Sequence, residues 1–327
     1  MQKALLIAVS ILVLIACNDN SKSTNKKILS KSSGNINDLS VVIDNELWQG
    51  SVGEAIRNII AAPVYGLPQD EPLFSIGQIP PSVFTGFVKK SRIILKIEKD
   101  LDESSVKIGS NVFARPQKLV VVSGKTNAEI ISLITENSQR IISALKSEEI
   151  KEKQRRIRKS LHKNNNIEKN LGLTIDFPSA YRIAKEEDKF FWIRKDINTG
   201  TTNLLIYELP FNAIQNNDSL VGQIIKIRDS IGKVHIPGPT DDAYMITEEA
   251  YAPFLAKTKI NDKITIETKG IWDVKNAFMS GPFINYIIED KTNNRLVVIE
   301  GFAFAPSVSK RDYMFDLEAI IKTIKIK

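Results

Sequence analysis

Hydrophobic and polar positions divide the chain into three regimes. Ala4 to Ala16 form an apolar run broken only by Ser10. Residues 18–39 are rich in Asn, Ser and Lys and show no periodicity. Beyond them, stretches of period two, which predict strands, alternate with stretches of period 3.6, which predict helices.

In the first half, strands are expected at Ser40–Asp44, Phe74–Gln78, Arg92–Glu98 and Lys118–Val122. Val52, Ala55, Ile56, Ile59 and Ile60 form a helical stripe behind the capping box Ser51-Val52-Gly53-Glu54. A second capping box, Thr126-Asn127-Ala128-Glu129, opens a long helix through Ile130, Ile134, Ile141 and Leu145. That helix becomes highly charged past Glu148 and ends at Asn164–Asn166. In the second half, strands are expected at Leu173–Phe177, Phe190–Lys195, Leu204–Leu209, Lys263–Thr268, Phe283–Glu289 and Arg295–Phe304. A helix over Ser219–Ile231 is expected to end at Gly232 in the left-handed conformation. A last helix presents Tyr313, Leu317, Ile320 and Ile324.

Adjacent strands with helices set between them predict an α+β protein. Two similar halves are expected, over 40–166 and 167–327, each a largely antiparallel sheet with packed helices. Two local matches suggest internal duplication. Pro68-Gln69-Asp70-Glu71 answers Pro239-Thr240-Asp241-Asp242, and Lys118–Gly124 answers Arg295–Gly301.

The apolar run changes the picture of where the protein resides. It is too short to span a bilayer, which takes about 20 apolar residues. With Lys3 ahead of it and Leu14-Ile15-Ala16-Cys17 at its end, it has the layout of a secretory signal, residues 1–16. The terminal four residues resemble a bacterial lipobox, which implies acylation of Cys17, the only cysteine. The fold then has no disulfide and is stabilised by apolar burial. Residues 17–39 are expected to be a flexible tether, because so polar a segment buries too little surface to offset its ordering entropy. Asn18 follows the cysteine where Asp would resemble an inner-membrane retention signal, so the outer membrane, facing the periplasm, is the expected location.

The formal net charge is +7, and eight Lys/Arg against three Glu lie between Lys146 and Lys163. An exported protein does not meet the chromosome, so nucleic acid is excluded as a partner. The 146–163 helix is instead expected to project as a solvated helix end, with contact to anionic lipid or an acidic partner as the sharper alternative.

Candidate chemistry is sparse. Gly124-Lys125-Thr126 imitates a phosphate loop, but the glycine that motif needs five residues earlier is Leu119. His162 and His235, the only histidines, lie in separate contexts without further ligands at metal spacing, so no metal is expected. No cofactor is expected either. Asp70, Glu71, Asp241 and Asp242 occupy equivalent loops and are candidate binding residues. Brought to one cleft, they could hydrolyse a glycan by general acid–base catalysis. Trp272 and Phe283 could line a groove for sugar or peptide. The leading expectation is a non-enzymatic envelope protein with a binding or structural role, its partner an envelope protein or glycan. A carboxylate-dependent glycan hydrolase is the alternative.

Several stretches resemble one family of Bacteroidota lipoproteins, the domain of unknown function 4837 family. They are Trp48-Gln49-Gly50, Leu67-Pro68-Gln69 with Glu71-Pro72, Phe191-Trp192, Gly270-Ile271-Trp272 and Met279 with Gly281-Pro282-Phe283. The resemblance continues through Arg295–Val298, Gly301-Phe302, Arg311, Tyr313-Met314 and Leu317-Glu318, with Ser280 standing where a glycine is expected. It implies location and fold, and no catalytic residues.

Overall fold

The strands of the first half are β1 (Ser30–Lys31), β2 (Asp38–Val42), β3 (Ser75–Ile79), β4 (Ile93–Lys99), β5 (Ser105–Ser110), β6 (Ala114–Arg115) and β7 (Lys118–Gly124). Those of the second are β8 (Leu173–Thr174), β9 (Arg182–Glu187), β10 (Phe190–Ile197), β11 (Gly200–Pro210), β12 (Met245–Thr247), β13 (Phe254–Ile260), β14 (Lys263–Val274), β15 (Ala277–Asp290), β16 (Arg295–Phe304) and β17 (Lys325–Ile326). They come from a computed structural model that describes residues 28–163 and 165–327. Cys17, the apolar run and tether residues 17–27 lie outside the described residues.

The class is α+β in two halves. The halves are nevertheless built differently. In the first, the order is β3-β2-β4-β7-β5, and only the β5–β7 pairing is antiparallel. Parallel neighbours need crossovers of about a dozen residues or more. Residues 43–74, 80–92 and 100–117 supply them. In the second half, the order is β12-β14-β15-β16-β11-β10-β9, with β13 also on β14, and every pairing is antiparallel. Its strands turn on short hairpins, with Lys189, Asn261, Asp262, Asn276 and Asn294 at positive φ. The expected antiparallel sheet therefore holds for the second half and fails for the first. Unlike strand orders also remove the internal duplication: β7 runs parallel to β4, whereas its supposed counterpart β16 is antiparallel to both neighbours.

Both faces of the large sheet are covered, which explains why consecutive residues along the middle of β11 and β16 are buried. Leu204, Ile206, Val297 and Ile299 face the C-terminal helix (Arg311–Ile321). Their alternates Leu205, Tyr207 and Val298 face the Leu220–His235 helix. That helix continues past Gly232, which is no cap. A Cβ there would lie 2.1 Å from the Met245 carbonyl oxygen, so glycine serves the close approach of helix to β12.

The expected long helix is two. Asn127–Glu136 starts as predicted, with Thr126 Oγ1 accepting from Glu129 N at 3.2 Å and Glu129 accepting from Lys125 N at 2.9 Å. The chain then breaks at Asn137, and the charged helix runs over Ser138–Ile157. The first capping box does not form: Ser51–Ala55 begins at Gly50 without a side-chain cap.

The charged helix does not project. Glu149 is fully buried and receives Arg92 Nε at 2.6 Å and Nη2 at 3.0 Å. It also accepts from Asn37 N at 2.6 Å, while Arg92 donates to the carbonyls of Gly34 and Asn35. These bonds bind what was expected to be tether. From Ser30 onward that stretch is part of the body, with β1 paired to β6 and Asn37 buried.

Removing one partner of a buried pair strands the other charge. Glu149→Ala is expected to lower the unfolding free energy by about 3–5 kcal/mol, read from urea titration. An unchanged midpoint would show that Arg92 is solvated by other means.

Candidate functional site

The second half meets the first along the charged helix, and a narrow cleft of about 30 Å³ opens beside that seam. The first half contributes Asn37, the Val64–Leu67 loop, Leu73 and Lys146. The second contributes Lys269 of β14, Pro282–Ile284 of β15, and Arg311, Met314, Phe315 and Glu318 of the C-terminal helix. The loop approaches β14 through Gly66, at φ +80°, where a Cβ would lie 2.9 Å from Gly270 N. At the mouth, Tyr65 stacks on Phe254 with centroids 4.7 Å apart, and both rings are partly exposed.

Charge collects on one wall. Lys146 Nζ lies 2.8 Å from Glu318, and Lys322 lies 2.6 Å from it. Burial alone would favour the neutral acid, but Lys146, Lys322 and Lys269 hold the Glu318 carboxyl far below the usual range. Burial pushes Lys146 down, despite Glu318 beside it. Burial also works against Lys269, yet Glu318 and Glu267 raise it. Asn37 Oδ1 is buried and unpartnered, while its Nδ2 donates to Asp312 at 3.4 Å. The cleft thus combines apolar walls, three cations (Lys146, Lys269 and Arg311) and one unpartnered acceptor.

The four candidate acids are not brought together. Glu71 is buried, and its two oxygens accept from Lys310 N at 2.6 Å and Arg311 N at 2.9 Å, capping the C-terminal helix from the other half. Asp70 and Asp241 are exposed. Asp242 is also exposed and accepts from Asn276 Nδ2 at 2.9 Å and Thr240 Oγ1 at 3.2 Å. None of the four lines the cleft.

Phe283 does line it, although the residue is only 1% exposed and its ring packs 3.8 Å from the Arg228 guanidinium. Trp272 is buried elsewhere, donating to the Ala303 carbonyl at 3.2 Å, and borders a second hollow with Trp192, Met279 and Phe304. His162 stacks on Phe177, and His235 stacks on Phe190 beside Glu187. Lys125 pairs with Asp102. Among the described residues no cluster of His, Cys, Asp or Glu is arranged to hold a metal.

The basic helix also departs from expectation. Lys153 reaches Asp316 at 2.5 Å and Arg158 reaches Asp176 at 3.4 Å. Burial opposes the charge on Glu152, but hydrogen bonds from Arg155 and Arg156 hold its pKa at about 2. The cations expected to spread around a projecting helix are therefore largely matched by acids, those of the second half among them.

Glu318 was missed in the sequence, although a signal was present. It falls on the buried stripe of its helix, four residues after Met314. Arg228 is the same case, four residues after Ile224, and it meets Glu300 within the apolar strand β16 at 2.8 Å.

Residues 160–323 match the family profile of a domain of unknown function, DUF4837. The chain belongs to that family. Residues 32–158 match a second domain of unknown function, DUF8532, so the two halves also differ as families. No curated protein matches the sequence.

Three solved structures show weak likeness. The Saccharomyces cerevisiae Ran-binding protein Mog1p is 7% identical, with a TM-score of 0.31 over 47% of this chain and 89% of its own. A point mutant of Mog1 is 8% identical, with a TM-score of 0.28 over 47% and 90%. LpqN, involved in cell envelope biogenesis of Mycobacterium tuberculosis, is 12% identical, with a TM-score of 0.27 over 47% and 83%. Scores this low say nothing of how a DUF4837 protein works.

A depressed carboxyl pKa contributes stability above the unfolded value and loses it as pH falls. Glu318 therefore stabilises the seam above about pH 4.5 and loses that contribution on acidification. Glu318→Gln is expected to lower the melting temperature at neutral pH and to flatten its fall below about pH 4.5. Parallel melting curves for the two proteins across that range would contradict this.

Proposed function

We propose that this DUF4837 protein is a lipid-anchored component of the cell envelope that binds a ligand or partner in the cleft between its halves. The anchor reading rests on Leu14-Ile15-Ala16-Cys17 closing an apolar run too short to span a bilayer. Among the described residues no helix is long and apolar enough to cross a membrane. With Asn18 after the cysteine, the anchor is assigned to the outer membrane, with the body in the periplasm.

The binding reading is carried by the cleft. Its walls come from both halves, and its lining holds one unpartnered buried acceptor, Asn37 Oδ1, together with Lys146, Lys269 and Arg311. Hydrolysis of a glycan would require two carboxyl groups about 5–9.5 Å apart across a bond. Glu71 instead commits both oxygens to backbone N–H groups. No observation favours the hydrolase over the binding role.

Cys17→Ser is expected to abolish incorporation of labelled palmitate and to leave an uncleaved or mislocalised precursor. Continued acylation of that variant, with the protein still in the outer membrane on detergent partitioning, would overturn the anchor.

A further inference from the structure

One surface of the first half is not used by the cleft. The sheet face bearing Val42, Ile94 and Leu119 is covered by Phe84, with Val88 and Phe113 packed against it, rather than by a helix. Phe84 and Phe113 meet edge to face at 5.7 Å, with Lys89 Nζ 5.8 and 5.4 Å from the two rings. On the outer side of this cover Phe87 is 71% exposed and Val83 53% exposed. Ile28 and Val112 are exposed as well. Single exposed apolar residues are ordinary. Here two further observations coincide with them.

The first is charge. Residues 28–37, 76–92 and 108–119 of this side contain six Lys/Arg and no Asp or Glu, and Glu98, farther along the same sheet face, is held by Lys96 at 2.6 Å. Arg92 is engaged by Glu149, and Lys118 approaches Glu148 at 3.9 Å. Lys31, Lys89, Lys90 and Arg115 remain. Asp38, the next acid along the chain, accepts from Asn35 Nδ2 at 2.9 Å.

The second is where the chain enters. Ser30–Lys31 pairs with Ala114–Arg115, and Ser33 N donates to the Lys90 carbonyl at 2.9 Å. The entry point thus lies between the two basic segments. Ten residues separate Cys17 from Ile28, so the cysteine lies within about 40 Å of that point even at full extension. Those ten residues add Lys22, Lys26 and Lys27 against Asp19.

We propose that this side of the first half, centred on Val83, Phe87, Lys89 and Lys90, docks on an anionic lipid surface beside the acyl anchor. The proposal rests on the anchor reading above. Phe87 and Val83 enter at headgroup depth while the lysines meet lipid phosphates, and this polybasic contact adds a second signal to the acyl chains. It moves the lipid contact from the 146–163 helix, where acids engage most of the cations, to the place where the chain arrives from the membrane.

The test compares full-length chains carrying Cys17→Ser in sedimentation with two kinds of vesicle. One is pure phosphatidylcholine, and the other contains about one-third phosphatidylglycerol. The retained apolar run contributes alike to every chain. The parent is expected to prefer anionic vesicles, and Val83→Asp/Phe87→Asp/Lys90→Glu to weaken anionic binding roughly tenfold at low salt. Phe278→Asp, at a fully exposed site in the second half, should leave binding unchanged. Unchanged melting temperatures would show that all the variants fold. As a second arm, a fluorophore on Phe87→Cys in the membrane-bound protein should be quenched by brominated lipid, and one on Phe278→Cys should not.

Equal binding of triple variant and parent, or equal quenching at the two positions, overturns the docking surface. So does crosslinking from position 87 that captures protein in place of lipid. The intact mass of protein from cells reports acylation separately, so a missing acyl group would count against the anchor and not against the vesicle result.

Discussion

A charged helix laid between two sheets holds the two halves in register. Ser138–Ile157 cannot be buried unless its ionised groups find partners on both sides, because an unpaired buried charge costs several kcal/mol. Glu149 turns to Arg92 in the first half, while Lys146 and Lys153 turn to Glu318 and Asp316 in the second. The same pairings fix Asn37 and the entering chain, orient the C-terminal helix and hold the halves at the spacing that leaves the cleft open.

This arrangement occupies the groups that would otherwise suggest catalysis. Glu71 is the clearest case. In sequence it is an acid in a proline-bounded loop; in the fold its oxygens replace the missing acceptors at the start of the C-terminal helix. It is one of several links between halves, with Arg311 reaching back to the Pro72 carbonyl and Ser75 Oγ at 3.1 Å each. Cations in the cleft are likewise held by structural acids, yet Asn37 Oδ1 keeps an unmet hydrogen-bonding capacity.

Buried ion pairs were the part of the site that pattern reading passed over. A charge inside an apolar stripe is visible in sequence, as with Glu318, Arg228 and Glu300. Its meaning requires the partner, and the partner lies 72 residues away in one case and on another helix in the other. Phe283 was legible as a large aromatic but not as a cleft wall, because its register on β15 opposite Gly270 places it there.

Local order was enough to place most strands and helices, the division into halves and the candidate anchor at Cys17. Each of these depends on a short stretch of chain: the period of apolar residues, a cap such as Thr126, or the length of an apolar run. That β2, β4 and β7 run parallel while β14, β15 and β16 alternate, and so that the halves are not copies, emerged only from the assembled fold. So did the roles of Glu71 as a cap, of Gly232 as a contact point and of the basic helix as an internal element. The physical reason is common to all of these. Strand direction follows from how the connections close, and the role of a charge follows from which surface it meets, and neither is a property of the segment that carries it.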